Sequence, residues 1–188
     1  WILKPQDPPQ MTANATSTAV RTPSRWVRRF APQVALRGTI LDLACGGGRN
    51  GRHFLASGHA VTFLDKDTEA LADLEDNPLA EIVRADLETG APFPLQGRQF
   101  NGVVVTNSLW RDSLSDICGA VAPGGLLIYE TFGTGNEAYG RPRNPDFLLK
   151  PGELLETVGT AYDVLGYDHG LRCAPSTAVV QRIAAVKR

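Results

Sequence analysis

No apolar run in this 188-residue sequence approaches the roughly eighteen residues that a membrane-crossing helix needs, so no membrane partner is expected. Cysteine is scarce. Cys45, Cys118 and Cys173 are odd in number and lack metal-ligand spacing, which excludes a disulfide scaffold and a structural zinc site and fits a reducing, cytoplasmic setting. An excess of one charge is also missing. Lys and Arg number 19 against 20 Asp and Glu, a formal net charge of −1, so there is no basic footprint for nucleic acid. Internal repeats are absent, and the length suits one domain with a sizeable core rather than two.

What is present is concentrated in residues 39–65. The apolar pairs Ile40-Leu41 and Leu43-Ala44 read as a short strand, and Gly46-Gly47-Gly48 forces a turn directly after it. A short amphipathic helix and a second apolar strand ending in Asp65 complete one βαβ unit. Glycines there let backbone approach a ligand and leave the N–H groups of the next helix free to meet it. An acid about twenty residues beyond the turn is placed to accept both hydroxyl protons of a ribose. The unit reads as a nucleoside-cofactor site. Gly46-x-Gly48-x-x-Gly51 also fits the dinucleotide fingerprint, a weak signal alone. Asp42, four residues before Gly46, argues the other way: a carboxylate aimed into the loop repels a pyrophosphate but suits an ammonium and a sulfonium. Asp86, after Ile82-Val83-Arg84-Ala85, falls on the same edge, where it can accept from an adenine amino group.

At these residues the sequence resembles the class I S-adenosylmethionine-dependent methyltransferases. Their first motif, acid-x-(Gly/Ala)-x-Gly-x-Gly, stands as Asp42-Leu-Ala44-Cys-Gly46-Gly-Gly48, with the ribose acid on Asp65 and the adenine-side acid on Asp86. Asp-Leu-Ala-Cys-Gly-Gly-Gly-Arg-Asn, Gly-His-Ala-Val-Thr-Phe-Leu-Asp-Lys and the late Leu-Lys-Pro-Gly-Glu-Leu are similar to the bacterial tellurite-resistance protein B group. The resemblance implies an α/β fold: a Rossmann-like, doubly wound, mainly parallel seven-stranded sheet with a C-terminal antiparallel hairpin. It also implies S-adenosylmethionine as cofactor, held by Asp42, Ala44, Cys45, Gly46, Gly48, Asn50, Asp65, Lys66, Asp86, Leu87 and Asn107.

The flanks are read in chain order. Residues 1–20 hold no apolar period and are expected to be disordered, leaving 21–188 as one methyltransferase domain. Trp1 stands first and the single methionine is Met11, so residues 1–10 read as a vector-derived, processed or upstream stretch; an Arg- and Ser/Thr-rich run to Phe30 leaves a transit peptide open. Thr22 as N-cap and Pro23 predict a helix burying Trp26, Val27 and Phe30, lying over the sheet edge or as a lid. Residues 66–76 read as a helix capped by Asp67, and Phe100 to Thr106 as a buried strand delivering Asn107 and Trp110 to the ligand-binding edge. A helix over 111–121 closes at Pro123-Gly124-Gly125, with a strand from Leu126 to Phe132. Two strands, 162–167 and 177–186, form the terminal hairpin.

Residues 133–150, rich in Gly, Pro and Arg, are expected to be a substrate lid. Tyr139 gives apolar cover, and Arg141 and Arg143 meet an anionic group. Trp110, Arg111, Tyr129 and Phe132 complete the substrate candidates. No catalytic acid–base pair is evident. A deprotonated nucleophile needs none, whereas an alcohol or phenol would call on Glu130 or His169. The expected function is methyl transfer to a small molecule, including a metalloid oxyanion such as tellurite. The alternatives are a nicotinamide-dependent oxidoreductase and a non-catalytic cofactor-binding module.

Overall fold

The computed structural model describes residues 22–188; the expectation for 1–20 lies outside the described residues. Seven strands form one sheet: β1 (Thr39–Leu43), β2 (Ala60–Asp65), β3 (Ala80–Arg84), β4 (Phe100–Thr106), β5 (Val121–Phe132), β6 (Tyr162–Arg172) and β7 (Ala178–Lys187). Their order is β3-β2-β1-β4-β5-β7-β6. The first five are parallel, and β7 lies antiparallel between β5 and β6. This is the expected doubly wound sheet with a terminal hairpin. The chain leaves β1 toward β2 on one side and returns through β4 on the other, so a crevice opens above the carboxyl ends of β1 and β4, where such sheets bind ligands.

Strand alternation sorts the core into two layers. Leu41, Leu43, Val103, Val105 and Leu127 point to one face, with Ile117, Leu154 and Val158 over them; these come from α3 (Leu114–Gly119) and α4 (Glu153–Val158). Ile40, Phe63, Val104 and Ile128 point to the other, beneath Trp26, Phe30, Phe54 and Leu71. Trp26 and Phe30 belong to α1 (Arg25–Phe30), and Phe54 to α2 (Arg49–Leu55). Strands buried on both faces demand apolar residues at consecutive positions, and β4, Phe-Asn-Gly-Val-Val-Val-Thr, supplies them.

Three local expectations are corrected. The first helix is capped by Ser24, whose Oγ accepts from the Trp26 N–H, rather than by Thr22. The stretch after β2 forms a 3-10 helix over Glu69–Leu74 instead of an α-helix, although Asp67 does accept from the Glu69 N–H at 3.1 Å. The fifth strand begins at Val121, not Leu126. Pro123-Gly124-Gly125 sits inside it at a register shift opposite Phe100 and Gly102, where a bulge tolerates a residue without an N–H.

Candidate active site

The turn after β1 is built from left-handed backbone. Ala44, Gly46 and Gly48 have φ of 52°, 53° and 69°, values that glycine adopts freely and alanine only with strain. The three motif glycines have different reasons to be glycine. A Cβ on Gly46 would meet no atom within 4 Å; this residue borders the larger cavity. A Cβ on Gly48 would lie 2.8 Å from Leu71 and 2.9 Å from Phe63, and one on Gly51 2.2 Å from Phe63. Gly46 leaves room for a ligand, while Gly48 and Gly51 let α2 press onto β2.

Two carboxylates fasten this loop. Asp65, at the end of β2, accepts from the Gly46 N–H at 2.7 Å and from the Asp67 N–H at 3.0 Å; each oxygen keeps a further lone pair for a hydroxyl. Asp42 is 1% exposed because its register partners are Phe63 and Val104, which place it in an apolar layer. Its Oδ2 accepts from the Gly51 N–H at 2.7 Å, and its Oδ1 has no partner among the described residues. Burial lifts this carboxyl to about 7, against the opposing pull of the Gly51 N–H and of Arg49. The N–H groups of α2 are therefore not all free for a ligand, as had been expected: Gly51 gives its own to Asp42.

Two cavities adjoin at the strand ends. The larger, about 1350 Å³, is bordered by Ala44, Cys45, Gly46, Gly47, Asn107 and Phe132, by residues 22–25, and by Arg49, Glu130, Arg172 and Arg182. The smaller, about 180 Å³, is bordered by Asp65, Lys66, Asp86, Leu87 and Trp110. Ala44 and Asn107 border both. Asn107 holds φ at 57°, a conformation Asn tolerates better than most residues, and donates its N–H to the Glu130 carbonyl at 2.9 Å. Asp86 also caps the turn Leu87–Thr89 by accepting from the Glu88 N–H.

Several sequence candidates lie elsewhere. Asn50 is buried, accepts from the Ser24 N–H and donates to Thr106 Oγ1, so its amide ties elements together. Cys45 does border the larger cavity, and burial raises its thiol far above its ordinary value. Tyr129 is core: its hydroxyl donates to the Ser108 carbonyl at 3.1 Å and burial pushes its phenol up. Arg111 donates to both Glu153 oxygens and to the carbonyls of Asp146 and Leu148. It tethers the segment 146–153 to the end of β4. That tether, with Asn136 bonded to Pro142 and Val179 and buried Leu148 and Leu149, bolts residues 133–150 down. None of them borders either cavity. Tyr139, Arg141 and Arg143, expected to cover and meet a substrate, are exposed. His169 borders neither cavity.

In their place the structure brings up a polar cluster that the sequence did not reveal. Glu130 on β5 is 3% exposed and takes Arg172 Nη1 at 3.0 Å, Arg182 Nη1 at 3.7 Å and the Ser24 hydroxyl at 3.1 Å. Arg182 also pairs with Asp168. Glu130, Arg182 and Asp168 stand abreast on β5, β7 and β6. Only strand register could have exposed this, and register is not written in local sequence.

Residues 40–125 match the family described as "Methyltransferase domain". No curated protein matches the chain in sequence. Among solved structures, the chain is similar to TehB from Haemophilus influenzae, at 19% identity and TM-score 0.69, covering 86% of this chain and 61% of that one. It thus spans under two thirds of that protein's length. A TehB-like SAM-dependent methyltransferase from Corynebacterium glutamicum gives 21% identity and TM-score 0.61, over 87% of each chain. The 1,6-didemethyltoxoflavin-N1-methyltransferase of Burkholderia thailandensis gives 16% and 0.64, over 86% of this chain and 76% of that one. Family match and sheet order agree: residues 40–125 match a methyltransferase domain, and the fold of the chain is similar to that of TehB.

Proposed function

We propose that the chain transfers a methyl group from S-adenosylmethionine to a small molecule that carries an anionic group. The observation that carries this reading is the pair of adjoining cavities, joined at Ala44 and Asn107. The smaller has the chemistry of an adenosine site: Asp65 for the ribose hydroxyls, with Asp86, Leu87 and Trp110 about the base. The larger combines the open face of Gly46 with room for an acceptor. When bound, S-adenosylmethionine supplies an electrophilic methyl on sulfur with a neutral thioether as leaving group.

The chain's own residues then have three tasks: to bind, to align and to exclude water. Arg25 and Arg49 border the larger cavity and form no ion pair among the described residues, which favours an acceptor with a negative group. Glu130 accepts from Arg172 and from the Ser24 hydroxyl. An acceptor atom that arrives deprotonated, as an oxyanion does, needs no base. A metalloid oxyanion such as tellurite is the first acceptor to test, and the fold likeness to TehB supports it. The three unpaired thiols support a cytoplasmic setting. Among the described residues no helix is long and apolar enough to cross a membrane.

The experiment is methyl transfer from isotopically labelled S-adenosylmethionine to tellurite, to aromatic carboxylates and to primary amines of similar size. Label in an anionic acceptor supports the reading. Label confined to the cationic amines overturns the electrostatic part of it.

A further inference from the structure

We propose that two copies of the chain dock face to face through the layer that carries α1 and α2, each copy's basic flank on the other's acidic flank. The net charge of −1 conceals a segregation. From residue 22 to 64 the chain has six arginines and one acid, the buried Asp42; from 65 to 76 it has six acids and one base, Lys66. Both stretches cover the same face of the sheet. Trp26 and Phe30 of α1, Phe54 of α2, and Leu71 and Leu74 of the 3-10 helix after β2 share one apolar layer. In that layer α2 is the middle element. α1 packs over β5, and α2 over β1 and β2, while the 3-10 helix lies on the far side of α2, its Asp73 paired with Arg52 at 2.6 Å. On the near side, burial and the charge of Arg28 on α1 together lower the pKa of His53 in α2.

The flanks carry charge that the chain itself does not neutralise. Arg28 and Arg29 in the last turn of α1, and Glu75 and Asp76 at the end of the 3-10 helix, are exposed and form no ion pair among the described residues. All three helical segments run from the carboxyl toward the amino ends of the parallel strands. α2 links β1 to β2, the 3-10 helix links β2 to β3, and α1, tied to the start of α2 through Ser24 and Asn50, leads into β1. The arginine pair and the acid pair therefore end level with each other, on opposite sides of α2. A two-fold axis lying in the plane of contact and along α2 keeps that level and exchanges the sides. Each arginine pair then faces the acid pair of the other copy, and the contact is made twice. A polyanion meets the arginines alone and is repelled by the acids beside them, whereas a second copy satisfies both flanks. A lone surface pair contributes little, but four charges at each of two symmetric contacts form a network.

Such an interface has a signature that other contacts lack: reversing one flank breaks it, and mixing the two reversed forms restores it. One variant carries Arg28→Glu with Arg29→Glu, the other Glu75→Lys with Asp76→Lys; none of the four residues borders either cavity. The measurement is sedimentation equilibrium of the full chain at about 0.02 M and about 0.5 M salt, which bracket weak and strong screening. The native chain is expected to dimerise at low salt and to be monomeric at high salt. Each variant alone sets like charges against each other, and its dimer Kd should rise by about tenfold or more. An equimolar mixture pairs opposite charges at both contacts and should recover an affinity near the native one. A native chain monomeric at low salt overturns the proposal, whether or not it binds heparin or anionic vesicles. Variants that dimerise like the native chain, or a mixture no more associated than its components, overturn it as well. Arg29 stacks over Trp26 and Phe30; if its reversal prevents folding, Arg28→Glu alone mixed with Glu75→Lys alone decides by the same outcomes.

Discussion

Asp42→Asn should make the protein more stable at pH 8 than the native chain, and nearly equal to it at pH 4. The carboxyl of Asp42 has an ordinary value of 3.8 and is lifted by burial to about 7 in the fold. The unfolded chain gives up this proton near pH 4, while the folded chain keeps it to about 7. Between those values the unfolded state holds fewer protons, so native stability falls as pH rises and levels off above 7. The gap corresponds to on the order of 4 kcal/mol at pH 8. Asparagine copies the protonated acid, with one acceptor for the Gly51 N–H and one donor group, and does not titrate. Below pH 4 the two proteins should therefore match within about 1 kcal/mol. By pH 8 the variant should lead by a few. Urea unfolding of both at pH 4, 5, 6, 7 and 8, without cofactor, measures the difference directly. A native-minus-variant difference that does not change from pH 5 to pH 8 would refute the claim that Asp42 is buried at a cost in its charged form.

Two further substitutions test parts of the frame. Gly51→Ala places a Cβ 2.2 Å from Phe63 and 3.0 Å from Asp42 Oδ2, so overpacking should cost about 1–3 kcal/mol in urea unfolding and weaken S-adenosylhomocysteine binding; wild-type stability would mean α2 can retreat from β2 freely. Arg111→Met removes the tether to Asp146, Leu148 and Glu153. It should cost about 2–3 kcal/mol and speed amide exchange across residues 144–153 while leaving cofactor affinity unchanged, and a large loss of affinity would restore Arg111 to the binding site.

The sheet was legible wherever burial on both faces wrote itself as consecutive apolar residues, as in β1, β2 and β4. The start of β5 was not, because Pro123-Gly124-Gly125 has the composition of a break yet lies in a strand whose register shifts there. The glycine loop could be read because its demands are local: left-handed backbone at Gly46 and Gly48 and an acid at each neighbouring strand end. The polar cluster at the larger cavity could not. Glu130, Arg172 and Arg182 are up to 52 positions apart in the chain (182 − 130) and meet only through the antiparallel pairing of β5, β7 and β6. Residues 133–150 show the same limit. Glycine and arginine content gives a segment's mobility and charge but not the side on which Asn136, Leu149 and Arg111 pin it.

The most direct test of the central claim is calorimetric titration of the native chain and of Asp65→Ala with S-adenosylhomocysteine and with NAD. Asp65 closes β2 and borders the adenosine-like cavity, and loss of its hydrogen bonds to a ribose should cost about 1.5–3 kcal/mol, roughly a ten- to hundredfold weaker Kd. The account predicts binding of S-adenosylhomocysteine by the native chain, that loss in Asp65→Ala, and no heat with NAD. Binding of NAD in place of S-adenosylhomocysteine, or equal affinity in Asp65→Ala, would contradict it.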